Sequence, residues 1–329
     1  MAESERPGYL ISALFAVGFL AVALWNVEIG YQASIAYPAV DAADAIVVDG
    51  GEVYPPSGEL LMLSVIHQDV NVFEALLAVA DPKVDLIEKT KLRRSGESDQ
   101  EYQSRVLEQM TDSNFKSIVV ALTYLGYPTR LVVTEIIEGV PADGVLELGD
   151  VIIAADGAEM KTVADLQAAV SSLAIGDTIE MTVEREGEEV TLTIELTEHV
   201  SRAGDPMIGI GLGELPDPPF SIDIDSTGFG GPSAGLMHTL AIIDTLTEGE
   251  LTAGRIIAGT GTIDFDGKVG LIGSVRQKVV GAEASGAEYI LVPAGQYETA
   301  LTAPRETIEI IPVETLQDAI DFLESLATS

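Results

Sequence analysis

The chain has 329 residues, with 17 Lys and Arg against 53 Asp and Glu and no cysteine, so its formal net charge is −36. At about 100–200 residues per domain, this length suggests two or three domains. The charge argues against a nucleic-acid partner, which needs a basic face. The missing cysteines exclude disulfides, thiol catalysis, thiolate zinc sites and iron–sulfur clusters. The histidines are too few and scattered for a metal cluster, so we expect no metal or cofactor: His67, His199, His238.

The first predicted element is a membrane-spanning helix. Residues 8–27 are 20 consecutive positions without a charged side chain, and about 20 residues cross the hydrocarbon core as a helix. Tyr9 and Trp25 lie near the two ends, where aromatic rings favour the membrane interface. The alternative is a cleaved signal peptide, but its apolar region usually runs about 7–15 residues before a small-residue site. We expect residues 1–32 to be a tail and single-pass anchor in the cell membrane, with an extracytoplasmic body.

Residues 33–123 are predicted to form a membrane-proximal α/β region. Apolar runs at 45–48 and 59–66 indicate strands. Asn71 is a suitable N-cap for a short apolar helix that stops at a proline, and residues 98–124 have a second helical pattern. A basic cluster in this region is interpreted as a solvated connector: Lys89, Lys91, Arg93, Arg94.

Residues 124–200 are predicted to form a second compact unit. A strand at 130–137 precedes the motif GVPADGVLELGDVI at 139–152, and a helical pattern and a β-hairpin follow. This order and this motif resemble a bacterial-type PDZ domain of the kind found in exported proteases. The resemblance implies a β-sandwich with helices that binds the end of an extended chain as an added strand.

By the same resemblance, the carboxylate-binding loop should precede the first strand. The candidate peptide-binding residues are Leu125, Gly126 and Tyr127, whose amides could hold a terminal carboxylate in a backbone nest. The same residues equally suit an ordinary helix C-terminus followed by glycine. Both interpretations stay open at the level of sequence.

The strongest chemical signal lies in residues 201–329. The glycine-rich stretch STGFGGPSAG at 226–235 runs straight into an apolar helical pattern, with Ser233 at the junction. Unpaired amides and the positive dipole end of a helix start can stabilise an oxyanion. Small neighbours such as Gly231 and Ala234 let a substrate backbone approach closely. Ser233 is therefore the candidate nucleophile, and amides near Gly231 and Ala234 are the candidate oxyanion site.

Few residues could serve as the base. The GPSAG motif fits the nucleophile elbow of α/β-hydrolases, but the only later histidine, His238, is five positions on and turned away by helical spacing. Lys268 lies in an acidic hairpin turn, where it should remain charged. Lys278 lies in a helical segment whose neighbours three and four positions away are small or apolar, which lowers an amine pKa by desolvation. Lys278 is the better candidate base.

The motifs of this region occur in the order and approximate spacing of the Lon protease domain. They are GPSAG at 231–235, GTG at 259–261, GKVGLIGSVRQK at 267–278 and GAEYILVP at 286–293. This resemblance implies an α+β protease domain in which Ser233 and Lys278 form a Ser–Lys dyad and Thr260 helps hold the lysine amine. Two positions depart from the family: Gly230 stands where an acidic residue often occurs, and Ser274 replaces a glycine before the lysine helix.

The whole arrangement is multi-domain α+β and resembles the membrane-anchored PDZ-containing Lon-like proteases of Gram-positive bacteria. The nearest Walker-like string, at 261–269, has the wrong spacing and is interpreted as a hairpin. We therefore expect an ATP-independent endopeptidase for flexible or unfolded membrane and envelope proteins. The resemblance also implies a homo-oligomer, commonly a hexamer. The alternatives are a non-catalytic PDZ membrane adaptor, or an esterase or amidase that uses the same serine.

Overall fold

The computed structural model describes residues 15, 18–19, 25, 27–94, 96–225 and 231–327. The chain divides into two compact units, one formed by Met1–Ala121 with Phe220–Ser329 and the other by Leu122–Pro219. The expected membrane helix at 8–27 lies almost entirely outside the described residues. Within the described part of the chain, no helix combines the length and apolar character needed to span a bilayer.

The chain up to Ala121 begins the first unit. Asn71 caps a helix as predicted: its side chain accepts hydrogen bonds from the amides of Phe73 and Glu74, and the Glu74 carboxylate accepts from the amide of Asn71. This reciprocal capping box fixes the helix start. The described elements, in chain order, are β1 (Glu28–Ala36), β2 (Val40–Asp41), β3 (Ile46–Asp49), β4 (Glu59–Met62), β5 (Val65–Asn71), α1 (Val72–Ala80), β6 (Asp85–Glu88), α2 (Lys89–Leu92) and α3 (Asp99–Tyr124).

The second unit has the strand, helix and hairpin order predicted for residues 130–196. Its strands form a sheet in the order β11-β10-β8-β7-β14, around a core that includes Leu131, Ile179 and Met181. The elements are β7 (Thr129–Ile136), β8 (Val151–Ala155), β9 (Ala158–Glu159), α4 (Val163–Ser171), β10 (Thr178–Arg185), β11 (Glu188–Glu195), β12 (Thr197–His199), β13 (Arg202–Met207) and β14 (Ile210–Pro216).

The second unit extends beyond residue 200, where the sequence predicted its end. β14 pairs antiparallel with β7 over its full length, from Ile210 opposite Ile136 to Pro216 opposite Thr129. Because these hydrogen bonds complete the sheet, residues 201–219 fold with this unit and not with the C-terminal domain, where the sequence placed them.

The C-terminal part returns to the first unit. Its central helix, α5, buries ten of its twelve residues, which is typical of a helix enclosed by a core. The elements are β15 (Ser221–Ile224), α5 (Gly235–Leu246), β16 (Ile256–Gly259), β17 (Thr262–Ile263), β18 (Val269–Gly270), α6 (Val275–Ala284), β19 (Tyr289–Pro293), α7 (Tyr297–Leu301), β20 (Glu309–Val313) and α8 (Leu316–Ala327).

Residues 33–123 are not a separate domain. The main sheet of the first unit has the order β2-β4-β16-β19-β20, in which β4 pairs in parallel with β16. β3 likewise pairs with β15. A small antiparallel sheet, β5-β1-β6, completes the N-terminal part. The region that the sequence analysis set apart thus supplies strands to the same sheet as the C-terminal residues, and these pairings could not be read from local pattern.

Candidate active site

Ser233 lies in a short 3₁₀ turn, Pro232–Ala234, directly before α5. Gly231 precedes the turn with φ of 102° and ψ of 160°, a conformation that is strained for residues with a Cβ. The carbonyl oxygen of Ser233 accepts hydrogen bonds from the Gly261 amide at 2.9 Å and from the Thr260 hydroxyl at 3.1 Å. The backbone of the serine turn is therefore fixed to the end of β16.

Lys278 lies near the start of α6, and the structure brings its amine to the serine. Its Nζ is 2.6 Å from Ser233 Oγ and 2.9 Å from Thr260 Oγ1. The residue before the helix, Ser274, has φ of 54°, in the left-handed region that favours glycine, which explains why glycine suits this position. Here the Ser34 hydroxyl of β1 lies 2.9 Å from the Ser274 hydroxyl and ties the helix start to the N-terminal sheet.

The environment of Lys278 favours its neutral form. The side chain is buried, with 3% of the residue exposed, and within the described residues no salt bridge joins it to a carboxylate. Because burial penalises the charged amine, desolvation lowers the pKa of Lys278 to about 7. A substantial part of the population is therefore neutral near pH 7 and carries a lone pair.

The three polar side chains form a consistent hydrogen-bond pattern. Thr260 donates its proton to the Ser233 carbonyl, so its oxygen can accept a hydrogen from the Lys278 amine. The lone pair of the neutral amine is then available to the Ser233 hydroxyl proton. The amides of Ser233 and Ala234 lie in the 3₁₀ turn before α5, and amides at a helix start are suited to hold an oxyanion. This arrangement can carry out acyl transfer.

The long helix α3 supports the serine turn, which the sequence did not reveal. Ser113 Oγ donates to the Pro232 carbonyl at 3.1 Å, and Ser117 Oγ lies 3.0 Å from the Gly235 carbonyl. Both serines are buried. The two serines are four positions apart and lie on one face of the helix. Small polar residues on an otherwise apolar stripe were the sequence feature that could have indicated this supporting role.

The structure also places the two residues that the sequence analysis excluded as the base, His238 and Lys268. His238 is buried in α5, where desolvation lowers its pKa to about 4, so it is a core histidine of that helix. Lys268 is exposed in the β17–β18 hairpin, which confirms the hairpin interpretation of the Walker-like string. In the described ranges, no group of three or more His, Asp or Glu side chains could hold a metal.

The predicted carboxylate-binding loop is a helix cap instead. The Gly126 amide donates to the Thr123 carbonyl, and the Tyr127 amide donates to the Leu122 carbonyl. With Gly126 at φ of 75°, this is a Schellman motif. The peptide-binding prediction for Leu125, Gly126 and Tyr127 is therefore corrected, because the amides of Gly126 and Tyr127 already satisfy carbonyls at the end of α3.

The second unit has a groove elsewhere. A cavity of about 470 Å³ lies between α4 and β14, and β14 is an edge strand of its sheet. Apolar residues line it, among them Leu166 and Val170 of α4 and Ile208, Ile210 and Leu212. An edge strand beside an apolar helix face is the geometry in which an extended peptide adds as a further strand. In the sequence, the alternation of glycine with apolar residues at 208–213 could have indicated this strand.

Two regions of the chain match family models. Residues 101–196 match the PDZ domain, and residues 225–325 match the Lon protease (S16) C-terminal proteolytic domain. The PDZ domain of an SdrC-like protein from Listeria monocytogenes shares 30% identity, with 25% of this chain and 86% of that chain covered and a TM-score of 0.24.

The curated relatives match over the C-terminal region. A Lon protease from Mesomycoplasma hyopneumoniae is 36% identical over 96 residues, which are 28% of this chain and 11% of the relative. A Lon protease from Phenylobacterium zucineum is 37% identical over 94 residues, 28% of this chain and 12% of the relative. The chain thus spans only a small part of the length of these relatives. The two family models show that the chain contains a PDZ domain and a Lon-type (S16) C-terminal proteolytic domain.

Proposed function

We propose that the protein is a serine endopeptidase that uses Ser233 as nucleophile and Lys278 as general base. The observation that carries this proposal is the 2.6 Å distance between Lys278 Nζ and Ser233 Oγ, with the amine buried and its pKa lowered to about 7. A hydroxyl and a neutral amine at this distance are suited to proton transfer.

The reaction proceeds by acyl transfer. Lys278 takes the proton of the Ser233 hydroxyl as Oγ attacks the scissile carbonyl carbon, and the amides of Ser233 and Ala234 hold the oxyanion. When the C–N bond breaks, the protonated lysine gives its proton to the leaving amine. Water then attacks the acyl-enzyme with Lys278 again as the base, which releases the acid and restores the serine hydroxyl.

We further propose that the substrates are flexible or unfolded chains of membrane and envelope proteins, cleaved without ATP. The groove between α4 and β14 takes the chain end of a substrate as an added strand, because its edge strand offers unpaired backbone groups and its wall is apolar. The protein is held in the cell membrane by residues 8–27, with its body extracytoplasmic, and it assembles as a homo-oligomer, a hexamer by family resemblance.

The test of the catalytic proposal uses the full chain in detergent with unstructured casein as substrate. We expect Ser233→Ala, Lys278→Ala and Lys278→Arg each to lower the rate by about a thousandfold or more, the arginine variant because guanidinium stays protonated. Circular dichroism checks that the variants are folded. Lys268→Ala is the matched control, since this exposed lysine lies outside the site, and its activity should equal that of the parent. Undiminished proteolysis by Ser233→Ala or Lys278→Ala would reject the dyad.

The same assay separates the alternatives. An esterase or amidase would cleave small esters or amides but leave casein intact, and a non-catalytic adaptor would cleave neither while still binding chain ends. Cleavage of casein that depends on Ser233 and Lys278 supports the endopeptidase.

A further inference from the structure

Helix α1 exposes its large apolar residues and buries its small ones. Ala75 and Ala78 are buried, and Ala75 packs against Ala33 and Val70 of the β5-β1-β6 sheet. The outer side of the helix, here named the α1 apolar face, is exposed by 47% to 75% per residue: Phe73, Leu76, Leu77, Val79. Because burying large side chains is worth more than burying alanines, a helix with this orientation has an apolar face suited to a second apolar surface.

The α1 apolar face lies beside Trp25, which is near the end of the uncharged stretch in the sequence. The ring of Trp25 lies 5.8 Å from the ring of Phe73, centroid to centroid. The strand register also places the start of β1 beside the start of α1, because Glu28 of β1 pairs with Asn71, the N-cap of α1. The helix therefore begins where the chain leaves residues 8–27, which are long enough to cross a bilayer. Trp25 and Phe73 together resemble the aromatic residues that gather at a membrane interface.

Positive charge is concentrated at the same end of the sheet. Tyr31 of β1 pairs with Glu88, the last residue of β6, and the basic segment of α2 follows at once. Four of the 17 cations of this acidic chain lie there: Lys89, Lys91, Arg93, Arg94. Lys89 forms a salt bridge with Asp69, and Arg93 forms one with Asp99. Among the described residues, no salt bridge joins Lys91 or Arg94 to a carboxylate. Cations beside an apolar surface complement anionic lipid headgroups.

We propose that the α1 apolar face docks on the surface of a phospholipid bilayer beside the anchor, with Lys91 and Arg94 directed to anionic headgroups. This inference rests on the proposed membrane anchoring. It adds a second, interfacial contact, in which α1 lies at the boundary between headgroups and acyl chains. Such a contact holds the protease body against the membrane, where the chain ends of membrane proteins emerge.

The test exploits the absence of cysteine in the chain. A single cysteine is introduced by Leu76→Cys, labelled with an environment-sensitive fluorophore, and the full chain is reconstituted in vesicles of phosphatidylcholine and phosphatidylglycerol. Leu271→Cys and Leu148→Cys are matched controls, because those leucines are 64% and 67% exposed against 65% for Leu76. Flotation of the vesicles after a wash in alkaline carbonate, which removes proteins bound only at the surface, first establishes that each protein is anchored, independently of docking and of proteolysis.

We expect the probe at residue 76 to shift to the blue and to lose about half or more of its emission when the lipids carry a shallow spin-label quencher. The control probes should keep the emission of probes in water. Vesicles without phosphatidylglycerol should weaken the quenching at residue 76, and so should Lys91→Gln with Arg94→Gln.

Two results would overturn the docking proposal. One is an anchored protein whose probe at residue 76 behaves like the controls. The other is a blue-shifted probe that lipid-borne quenchers do not reach, because a second copy of the chain or residues 8–24 would then cover the helix. Failure of flotation would instead reject the anchor and with it the docking.

Discussion

The amine of Lys278 and the hydroxyl of Thr260 lie 2.9 Å apart, and the same hydroxyl donates to the carbonyl of Ser233 at 3.1 Å. One buried threonine thus contacts both the base and the backbone of the nucleophile. Since its proton is used by the carbonyl, its oxygen lone pairs face the amine. Thr260 therefore orients the amine so that the remaining lone pair meets the serine proton.

Replacing this hydroxyl should slow the reaction without unfolding the protein. Thr260→Val keeps the shape but removes one donor and one acceptor from a buried site, so we expect kcat/KM to fall by about ten- to a hundredfold, or about 1.4–2.8 kcal/mol. Thr260→Ser should recover most of the rate. The pH midpoint of the valine variant should also move down, because the protonated amine loses an acceptor. Equal rates for the valine and serine variants would contradict this positioning role.

The pH dependence of kcat/KM should follow the deprotonation of the Lys278 amine. Only neutral Lys278 accepts the serine proton, and its pKa is lowered to about 7, so kcat/KM should rise through a single ionisation centred near pH 7. The rate then stays level on the alkaline side until another group titrates. Steady-state kinetics on a fluorogenic peptide measures the midpoint. A midpoint near the ordinary lysine value of about 10.4 would mean that the amine is hydrated and charged.

Close packing between α3 and α5 predicts a sensitive glycine. A Cβ at Gly235 would lie 2.9 Å from Ser113 Oγ and 3.0 Å from the amide nitrogen of Ile263. Gly235→Ala should displace the turn that carries Ser233 and lower kcat by about tenfold or more, although alanine favours a helix by about 1 kcal/mol. Gly30→Ala is the control, because no atom lies within 4 Å of a Cβ there. Full activity of Gly235→Ala would show that the turn tolerates movement.

The parts of the site that lie in short motifs could be predicted from the sequence. The positions of Ser233 and Lys278 followed from a glycine-rich helix start and from apolar neighbours at helical spacing, and the structure brings these two groups together. The N-cap at Asn71 and the hairpin around Lys268 were also local patterns, and both are confirmed.

The remaining features depend on contacts between distant parts of the chain. The pairing of β4 with β16 joins residues nearly 200 positions apart, and a short apolar run does not identify its partner. Ser113 and Ser117 of α3 contact backbone carbonyls of residues about 120 positions later in the chain. The two interpretations of Gly126 stayed open because a left-handed glycine suits a helix cap and a binding loop alike. The pairing of β14 with β7 makes β14 an edge strand of its sheet, which no local pattern in the sequence shows.

The buried amine should lower the stability of the protein near neutral pH. In the unfolded chain Lys278 has a pKa of about 10.4, but in the folded protein its pKa is lowered to about 7. Between these values unfolding takes up a proton, so the free energy of unfolding rises with pH across this window and falls as pH drops towards 7. At about 1.4 kcal/mol for each tenfold change in proton affinity, the penalty below pH 7 is on the order of 5 kcal/mol.

Lys278→Met tests this linkage, because methionine fills the same space without a charge to desolvate. We expect the inactive variant to be more stable than the parent by a few kcal/mol, on the order of 2–4, near pH 7. The difference should shrink as the pH approaches 10. Urea unfolding followed by circular dichroism at several pH values measures it. A destabilised methionine variant with no pH trend would mean that the hydrogen bonds to Ser233 and Thr260 outweigh the cost of burial.

The groove beside α4 should recognise a free chain end. Gln167 is exposed on α4 and lines the groove, whereas the neighbouring Ala168 is exposed but does not line it. In the Ser233→Ala background, which prevents cleavage, a fluorescent peptide with an apolar C-terminal residue should bind, and its amidated form should bind about tenfold more weakly because one charged contact is lost. Gln167→Trp fills the groove and should also weaken binding by about tenfold, while Ala168→Trp should not change it. Fluorescence anisotropy gives the dissociation constants. If both tryptophan variants bind like the parent, the peptide occupies another surface of the protein.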